Sequence, residues 1–243
     1  MRSEMKVLLG TLALGPVLVW GPRAVEELAG LDAFRISQVE VSGVRYLTQD
    51  IVVAQLGLGA FASVWGDCDA WAERLAEHPL IRDAEVRRRL PNRLRVTIHE
   101  RQPVAFAAAP TLEPVDADGV RLPIDPARNS LDLPVISTSR MPPSDAAVFP
   151  EEVRMLAAEL EYLTGLDEDF VARISTIRRS PGGALVLGLL QPEVDFVMPP
   201  RTPIDRLRDG QAALRHAIDL DPGDPPAVVD LRFAGQVVVR RAK

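Results

Sequence analysis

The side chains that could act as nucleophiles, proton carriers or metal ligands are few and widely spaced in this sequence. The three histidines, His78, His99 and His216, lie far apart, and the single cysteine, Cys68, has no local nucleophile context. The motifs of serine hydrolases, P-loop proteins and zinc proteases do not occur. We therefore expect no catalytic, cofactor-binding or metal-binding residues, and we expect that the protein is not an enzyme and has no small-molecule substrate.

One acidic segment superficially resembles a calcium-binding loop. Asp116-Ala-Asp-Gly119 places two carboxylates two residues apart before a glycine. A calcium loop of the EF-hand type also needs a glutamate at its twelfth position, and Ala127 occupies that position here. The segment therefore predicts a hairpin turn.

Positive charge is concentrated in one short region. The arginines of this region are Arg87, Arg88, Arg89, Arg93, Arg95 and Arg101. They fit a solvated sheet face, and they also fit contact with anionic lipid headgroups or with an acidic partner. The net charge of −6 disfavours a nucleic-acid partner.

The N-terminal region has the pattern of a membrane segment. Val7–Trp20 is uncharged and mostly aliphatic, and Arg2 and Lys6 precede it, so the bulk of the chain would lie outside the cytoplasm. We expect a single-pass anchor, although a cleaved signal peptide and a buried soluble helix also fit a segment of this length. The anchor residues would be Val7, Leu8, Leu9, Leu12, Leu14, Val17, Leu18, Val19 and Trp20.

Two further regions follow, and both predict an α+β fold. Residues 34–101 have strand and helix patterns in the order β-α-α-β-β. The predicted elements are Phe34–Gly43, Thr48–Gly57, Asp67–His78, Leu80–Leu90 and Arg93–Arg101, with caps at Thr48 and Asp67. The apolar face of the first helix would consist of Ile51, Val52 and Leu56.

Residues 102–243 predict a second, β-rich α+β domain. Its predicted strands are Val104–Ala109, Leu133–Ile136, Arg173–Arg179, Ala184–Leu190, Val194–Met198, Ala227–Phe233 and Gln236–Arg241. Its predicted helices are Pro150–Leu163 and a helix from Thr202-Pro203 to Leu220, with the proline in the first helical position. The last strand has three consecutive valines, so it is either an ordinary terminal strand or an adhesive sheet edge.

Several phrases of the sequence resemble the FtsQ/DivIB cell-division family, and residues 34–101 look like a POTRA domain. The phrases are Val39-Glu-Val-Ser-Gly-Val44, His78-Pro-Leu-Ile-Arg-Asp-Ala-Glu-Val86, Leu90-Pro-Asn-Arg-Leu-Arg-Val-Thr-Ile-His-Glu-Arg101, Gln102-Pro-Val-Ala105, the Asp118-Gly-Val120 turn and Val229-Asp-Leu-Arg-Phe233. They follow one another in the family's order and cover nearly the whole chain beyond the apolar segment.

The resemblance implies a bitopic, non-catalytic scaffold of the divisome in the cell inner membrane at the division septum. Its domains would be 1–33 (short cytoplasmic tail, anchor and juxtamembrane helix), 34–101 (POTRA) and 102–243 (FtsQ-type β domain), with the last two on the periplasmic or extracytoplasmic side. The alternative is a POTRA chaperone that assembles exported or outer-membrane proteins.

The resemblance also implies where a partner binds. In this family the end of the β domain pairs with a strand of FtsB, which associates with FtsL. Phe233 stands where some members have tyrosine, and Arg240 where some have an aromatic residue. The expected partner-binding residues are Asp230, Leu231, Arg232, Phe233, Gly235, Val237, Val238, Val239 and Arg240. β-Augmentation is the expected mode of binding.

Overall fold

The computed structural model describes residues 32–108, 111–125, 128–138 and 146–241. The chain divides between Glu100 and Arg101 into two compact units, and each is described by itself. The expected anchor, Val7–Trp20, lies outside the described residues. No helix among the described residues is both long and apolar enough to cross a membrane.

The first unit is a three-stranded sheet with two helices. A 3-10 turn at Asp32–Phe34 precedes the strand β1 (Gln38–Ser42), the helices α1 (Gln49–Leu56) and α2 (Cys68–Ala76), and the strands β2 (Ile81–Arg89) and β3 (Arg93–Glu100). The strand order is β1-β3-β2, with β1 parallel and β2 antiparallel to β3. This β-α-α-β-β order agrees with the sequence prediction.

Side-chain caps fix the starts of both helices. The Thr48 hydroxyl accepts a hydrogen bond from the Ile51 amide at 3.4 Å, and Asp67 accepts bonds from the amides of Asp69 and Ala70 at 3.0 and 3.1 Å. Each bond satisfies a helix-end donor that has no partner inside the helix. The predicted caps are therefore confirmed.

The core of this unit lies between the helices and one face of the sheet. Leu94, Val96 and Ile98 of β3 alternate with exposed or half-buried neighbours, and Leu75 of α2 is fully buried. Val52 and Leu56 of α1 are buried as predicted, but Ile51 is 45% exposed. The prediction for Ile51 was wrong because it is adjacent to Val52 and therefore turned about a hundred degrees away from it on the helix.

The second unit contains an eight-stranded sheet in the order β11-β10-β9-β8-β7-β6-β4-β5. The strands are β4 (Ala105–Ala108), β5 (Leu112–Val115), β6 (Val135–Ser137), β7 (Ile174–Arg179), β8 (Leu185–Leu190), β9 (Glu193–Met198), β10 (Pro226–Asp230) and β11 (Val238–Arg241). The helices are α3 (Glu151–Leu166), α4 (Glu168–Val171) and α5 (Ile204–Leu220). The mixed α+β class with two sheets agrees with the prediction.

The core of the second unit lies on one face of the large sheet. The face of α3 predicted from periodicity, Val153, Leu156, Leu160 and Leu163, is buried there. Leu207 and Leu214 of α5 are buried in the same core, together with Phe196 and Val229 of the sheet. The two long helices therefore cover one face of the sheet and bury the side chains that point to it.

Several predictions for the second unit need correction. The strand β5 and the short helix α4 were not predicted, and Pro203 is the cap of α5 rather than its first residue. The last two strands are shorter than predicted, since β10 ends at Asp230 and β11 begins at Val238. The predicted turn at Asp116–Gly119 is confirmed: the Gly119 amide donates to the Asp116 carbonyl at 3.0 Å, and Gly119 has a φ of 80° that favours glycine.

The burial of Leu75 gives a direct test of the first core. We expect Leu75→Ala to lower the free energy of unfolding by about 2–5 kcal/mol, because it removes buried contacts and leaves a cavity. Chemical denaturation would measure this change. Val53→Ala on α1, where the valine is exposed, is the matched control and should change stability by less than about 1 kcal/mol. An unchanged unfolding midpoint for Leu75→Ala would contradict this account of the core.

Candidate partner-binding edge

The two edges of the large sheet differ in whether another segment of the chain bonds their outward backbone groups. At one edge, β5 contains Pro114, which has no amide hydrogen to offer to another strand. The segment after β5 also folds back along it: Val115 and Arg121 form an antiparallel bridge, and the Leu122 amide donates to the Pro114 carbonyl at 2.9 Å. This edge is therefore covered by the chain itself.

The other edge, β11, has no such cover among the described residues. It pairs with β10 on its inner side, with Val229 opposite Val239 and Asp230 opposite Val238, and no other described strand lies beyond it. The outward-directed amides and carbonyls of β11 are therefore left to water or to another chain.

The register decides which way the side chains at this edge point. Val229 is buried against the helices, so Val239, directly opposite, lies on the same face. Val237 also packs against that core, whereas Val238 and Arg240 lie on the opposite face. All three valines are half-buried, so the edge is apolar on both faces without being part of a closed core.

A buried carboxylate anchors the face that bears Val238. Asp230 is 1% exposed, and it accepts hydrogen bonds from Nη2 and Nε of Arg232 at 2.6 and 2.9 Å. The Arg232 amide and Nη2 of Arg240 also donate to it, at 3.1 and 3.4 Å. These charged donors outweigh the effect of burial and lower the pKa of the Asp230 carboxyl below its usual value.

A helix arginine fixes the connection between β10 and β11. Nη2 of Arg206, on α5, donates to the carbonyls of Leu231, Phe233 and Gln236 at 3.1, 2.9 and 2.9 Å. These bonds hold the connection between the two strands against α5. Arg206 was not predicted as a functional residue, because its role depends on contacts about 25–30 positions away along the chain.

The structure brings the expected partner-binding residues together in one closing hairpin. Leu231 is buried in the core. Phe233 is exposed, and the guanidinium carbon of Arg232 lies 5.8 Å from the centroid of the Phe233 ring. Gly235 forms the turn with a φ of 75° that favours glycine. Arg232, Phe233 and the β11 side chains are therefore accessible, while Asp230 and Leu231 act from within the fold.

Comparison with known proteins gives the family. The family model of the FtsQ-type POTRA domain matches residues 34–101. The chain is 29% identical over 219 residues to cell division protein FtsQ of Rhodothermus marinus, covering 86% of this chain and 79% of that protein. It is 30% identical over 178 residues to FtsQ of Myxococcus fulvus, covering 72% of this chain and 62% of that protein, less than two thirds of its length.

The chain belongs to the FtsQ/DivIB family. A third relative, FtsQ of Salinibacter ruber, is 26% identical over 253 residues, which cover 95% of this chain and 88% of that protein. The protein is thus a cell division protein with a POTRA domain. FtsQ is a non-enzymatic family, which argues against an enzyme.

The side chains considered first for catalysis have ordinary roles in this FtsQ fold. Cys68 is buried at the start of α2, and burial raises the pKa of its thiol. His99 lies 3.2 Å from Asp83 at an exposed position. Asp116 and Asp118 accept hydrogen bonds from Arg101 at 2.6 and 3.0 Å. Among the described residues, no three acidic, histidine or cysteine side chains are grouped as metal ligands.

The lowered pKa of Asp230 predicts how the closing hairpin responds to pH. Since the folded pKa lies below the unfolded value of about 3.9, the ionised carboxylate stabilises the fold above about pH 4, and this contribution is lost as the pH falls through the folded pKa. We expect Asp230→Asn to be less stable than the wild type by about 1–3 kcal/mol at neutral pH, because it loses charged hydrogen bonds. Unfolding free energies measured between pH 7 and pH 2 should converge for the two proteins at low pH. A difference that does not depend on pH would contradict this role for the charge.

Proposed function

We propose that this protein is a non-catalytic scaffold of the divisome that binds a partner by strand addition at β11. The observation that carries the proposal is the contrast between the two edges of the large sheet. The chain covers the β5 edge, whereas no described segment covers the outer side of β11, where Val238 and Val239 follow Val237. Sheet edges that need no partner are usually blunted by proline, by charge or by a covering segment.

Strand addition would use both the backbone groups and the side chains of this edge. Backbone hydrogen bonds to the outer side of β11 would supply affinity, and side chains that alternate between the two faces would supply selectivity. On the helix side the partner strand would extend the apolar row that includes Val237 and Val239. On the other side it would meet Val238 and Arg240, next to Arg232, which favours an apolar residue followed by an acidic one.

The family indicates which class of protein the partner belongs to. FtsQ membership implies partners among the division proteins, and an FtsB-like chain, associated with an FtsL-like one, is the partner we propose. The nine residues from Asp230 to Arg240 named above would form the site. Arg232, Phe233, Val237, Val238, Val239 and Arg240 would contact the partner, and Asp230, Leu231 and Gly235 would position them.

We also propose the placement of the chain in the cell. Val7–Trp20 would form a single-pass anchor in the inner membrane, and the basic flank would keep the N-terminus in the cytoplasm. Residues 34–101 would be the POTRA domain and residues 102–243 the partner-binding β domain, both outside the cytoplasm at the septum. Membership of a cell-division family favours this proposal over a POTRA chaperone for exported proteins.

Single prolines in β11 test the proposed strand addition. In an antiparallel pair, successive residues direct their amides alternately toward and away from the neighbouring strand. One of the two variants Val238→Pro and Val239→Pro therefore removes an amide that bonds β10, and the other removes an outward amide. We expect the outward variant to keep its melting temperature but to lose capture of the FtsB-like partner in a pull-down.

The control for these variants is a proline at the covered edge. Leu112→Pro in β5, where the leucine is half exposed, should leave partner capture intact. If both β11 variants fold and still capture the partner as well as the wild type does, the partner does not add a strand at β11.

A further inference from the structure

One end of the POTRA unit exposes several apolar side chains. The loop between α1 and α2, residues 57–66, contains no charged residue. Within it Phe61 is 79% and Trp65 is 39% exposed, and Leu90, beside the β2–β3 turn, is 60% exposed. Clustered apolar side chains of this kind mark contact surfaces.

Hydrogen bonds show that these side chains belong to one end of the unit. The Val64 amide donates to the Phe34 carbonyl at 2.9 Å, which joins the loop to the segment before β1. Nε of Arg88 donates to the Val64 carbonyl at 2.8 Å, which joins the loop to the end of β2. The Ser37 amide donates to the Asn92 carbonyl at 2.9 Å, which places the β2–β3 turn beside the start of β1. We name Phe61, Trp65 and Leu90 together the apolar end.

Arginines surround the apolar end. The Arg35 guanidinium lies 4.9 Å from the ring centroid of Phe61, and Arg89 lies opposite Arg93 across the β2–β3 pair. Acidic side chains balance part of this charge. Asp32 forms an ion pair with Arg35, Glu85 with Arg87, and Glu40 with both Arg93 and Arg95. Asp67 and Asp69 lie nearby, at the start of α2. Arg88 bonds carbonyls, and no described acidic side chain forms an ion pair with Arg89.

The same end lies at the start of the unit, eleven residues along the sequence from the proposed anchor. Eleven residues, 21–31, separate Trp20 from the 3-10 turn that leads into β1. Fully extended, they reach roughly 40 Å. The start of β1 lies at the apolar end, so this is the end of the unit at which the described residues join residues 21–31.

We propose that the apolar end lies in the interface of a membrane that carries anionic headgroups. Phe61, Trp65 and Leu90 would lie at headgroup depth, where aromatic side chains are favoured, and Arg35, Arg89 and Arg93 would contact lipid phosphates. The combination of exposed aromatics, arginines and a short tether favours a membrane over an acidic protein. This inference rests on the proposed anchoring of Val7–Trp20.

Tryptophan quenching in vesicles tests the proposal on the full chain. With Trp20→Phe and Trp71→Phe, Trp65 is the sole tryptophan and reports its depth through quenching by brominated phosphatidylglycerol. We expect strong quenching of Trp65 in vesicles that contain this lipid. Phe61→Ser and Arg89→Glu should each reduce it, the second by weakening the surface contact about fivefold or more.

Matched controls come from the opposite end of the same unit. The Tyr46 amide bonds Glu100 at 2.8 Å, at the far end of β3. Ile51 and Arg82 lie near that end and are exposed. Ile51→Ser and Arg82→Glu should leave Trp65 quenching unchanged, and a Tyr46→Trp reporter in a chain without other tryptophans should be quenched weakly.

Flotation with the vesicles separates failure of the anchor from failure of this proposal. A chain that floats while Trp65 is quenched no more than the Tyr46→Trp reporter overturns the membrane contact and leaves the anchor standing. Loss of partner capture by Arg89→Glu without any Trp65 quenching would assign the surface to an acidic protein and also overturn it. A chain that does not float removes the anchor on which the inference rests, and overturns it as well.

Discussion

The outer side of β11 imposes the constraint on which the proposed partner-binding site depends. No described strand lies beyond it, so its outward amides and carbonyls are left to water or another chain, and the apolar side chains beside them make a surface that favours another chain. The opposite edge of the same sheet shows the usual solution, with Pro114 in the strand and residues 120–122 folded against it. One edge of the sheet is therefore bonded by another described segment of the chain, whereas no described segment bonds the other.

Two sets of polar contacts hold the β11 edge in a defined conformation. The buried carboxylate of Asp230 gathers Arg232 and Arg240 on the face opposite the helices. From the helix side, Arg206 ties three carbonyls of the β10–β11 connection to α5. Both sets of contacts order the hairpin in the free protein. A binding strand would therefore not have to supply the free energy needed to order the hairpin.

Much of the fold followed from local sequence patterns, and the parts that did not depend on contacts distant in sequence. Thr48 and Asp67 cap their helices, and Leu94, Val96 and Ile98 alternate, because both features act within a few residues. The strand β5 was not predicted because it contains Pro114, and proline usually indicates a turn. An edge strand nevertheless tolerates proline. The sequence pattern of the terminal strands could not show that Arg206 bonds the connection between them, or that Asp230 is buried beside arginines.

The most direct measurement is amide hydrogen exchange of the full chain with and without the captured FtsB-like partner. If the partner adds a strand, alternate amides of β11, those directed outward, should exchange rapidly in the free protein and become protected in the complex, while amides of β5 stay unchanged. A complex in which the outward amides of β11 exchange as fast as in the free protein would contradict strand addition at this edge.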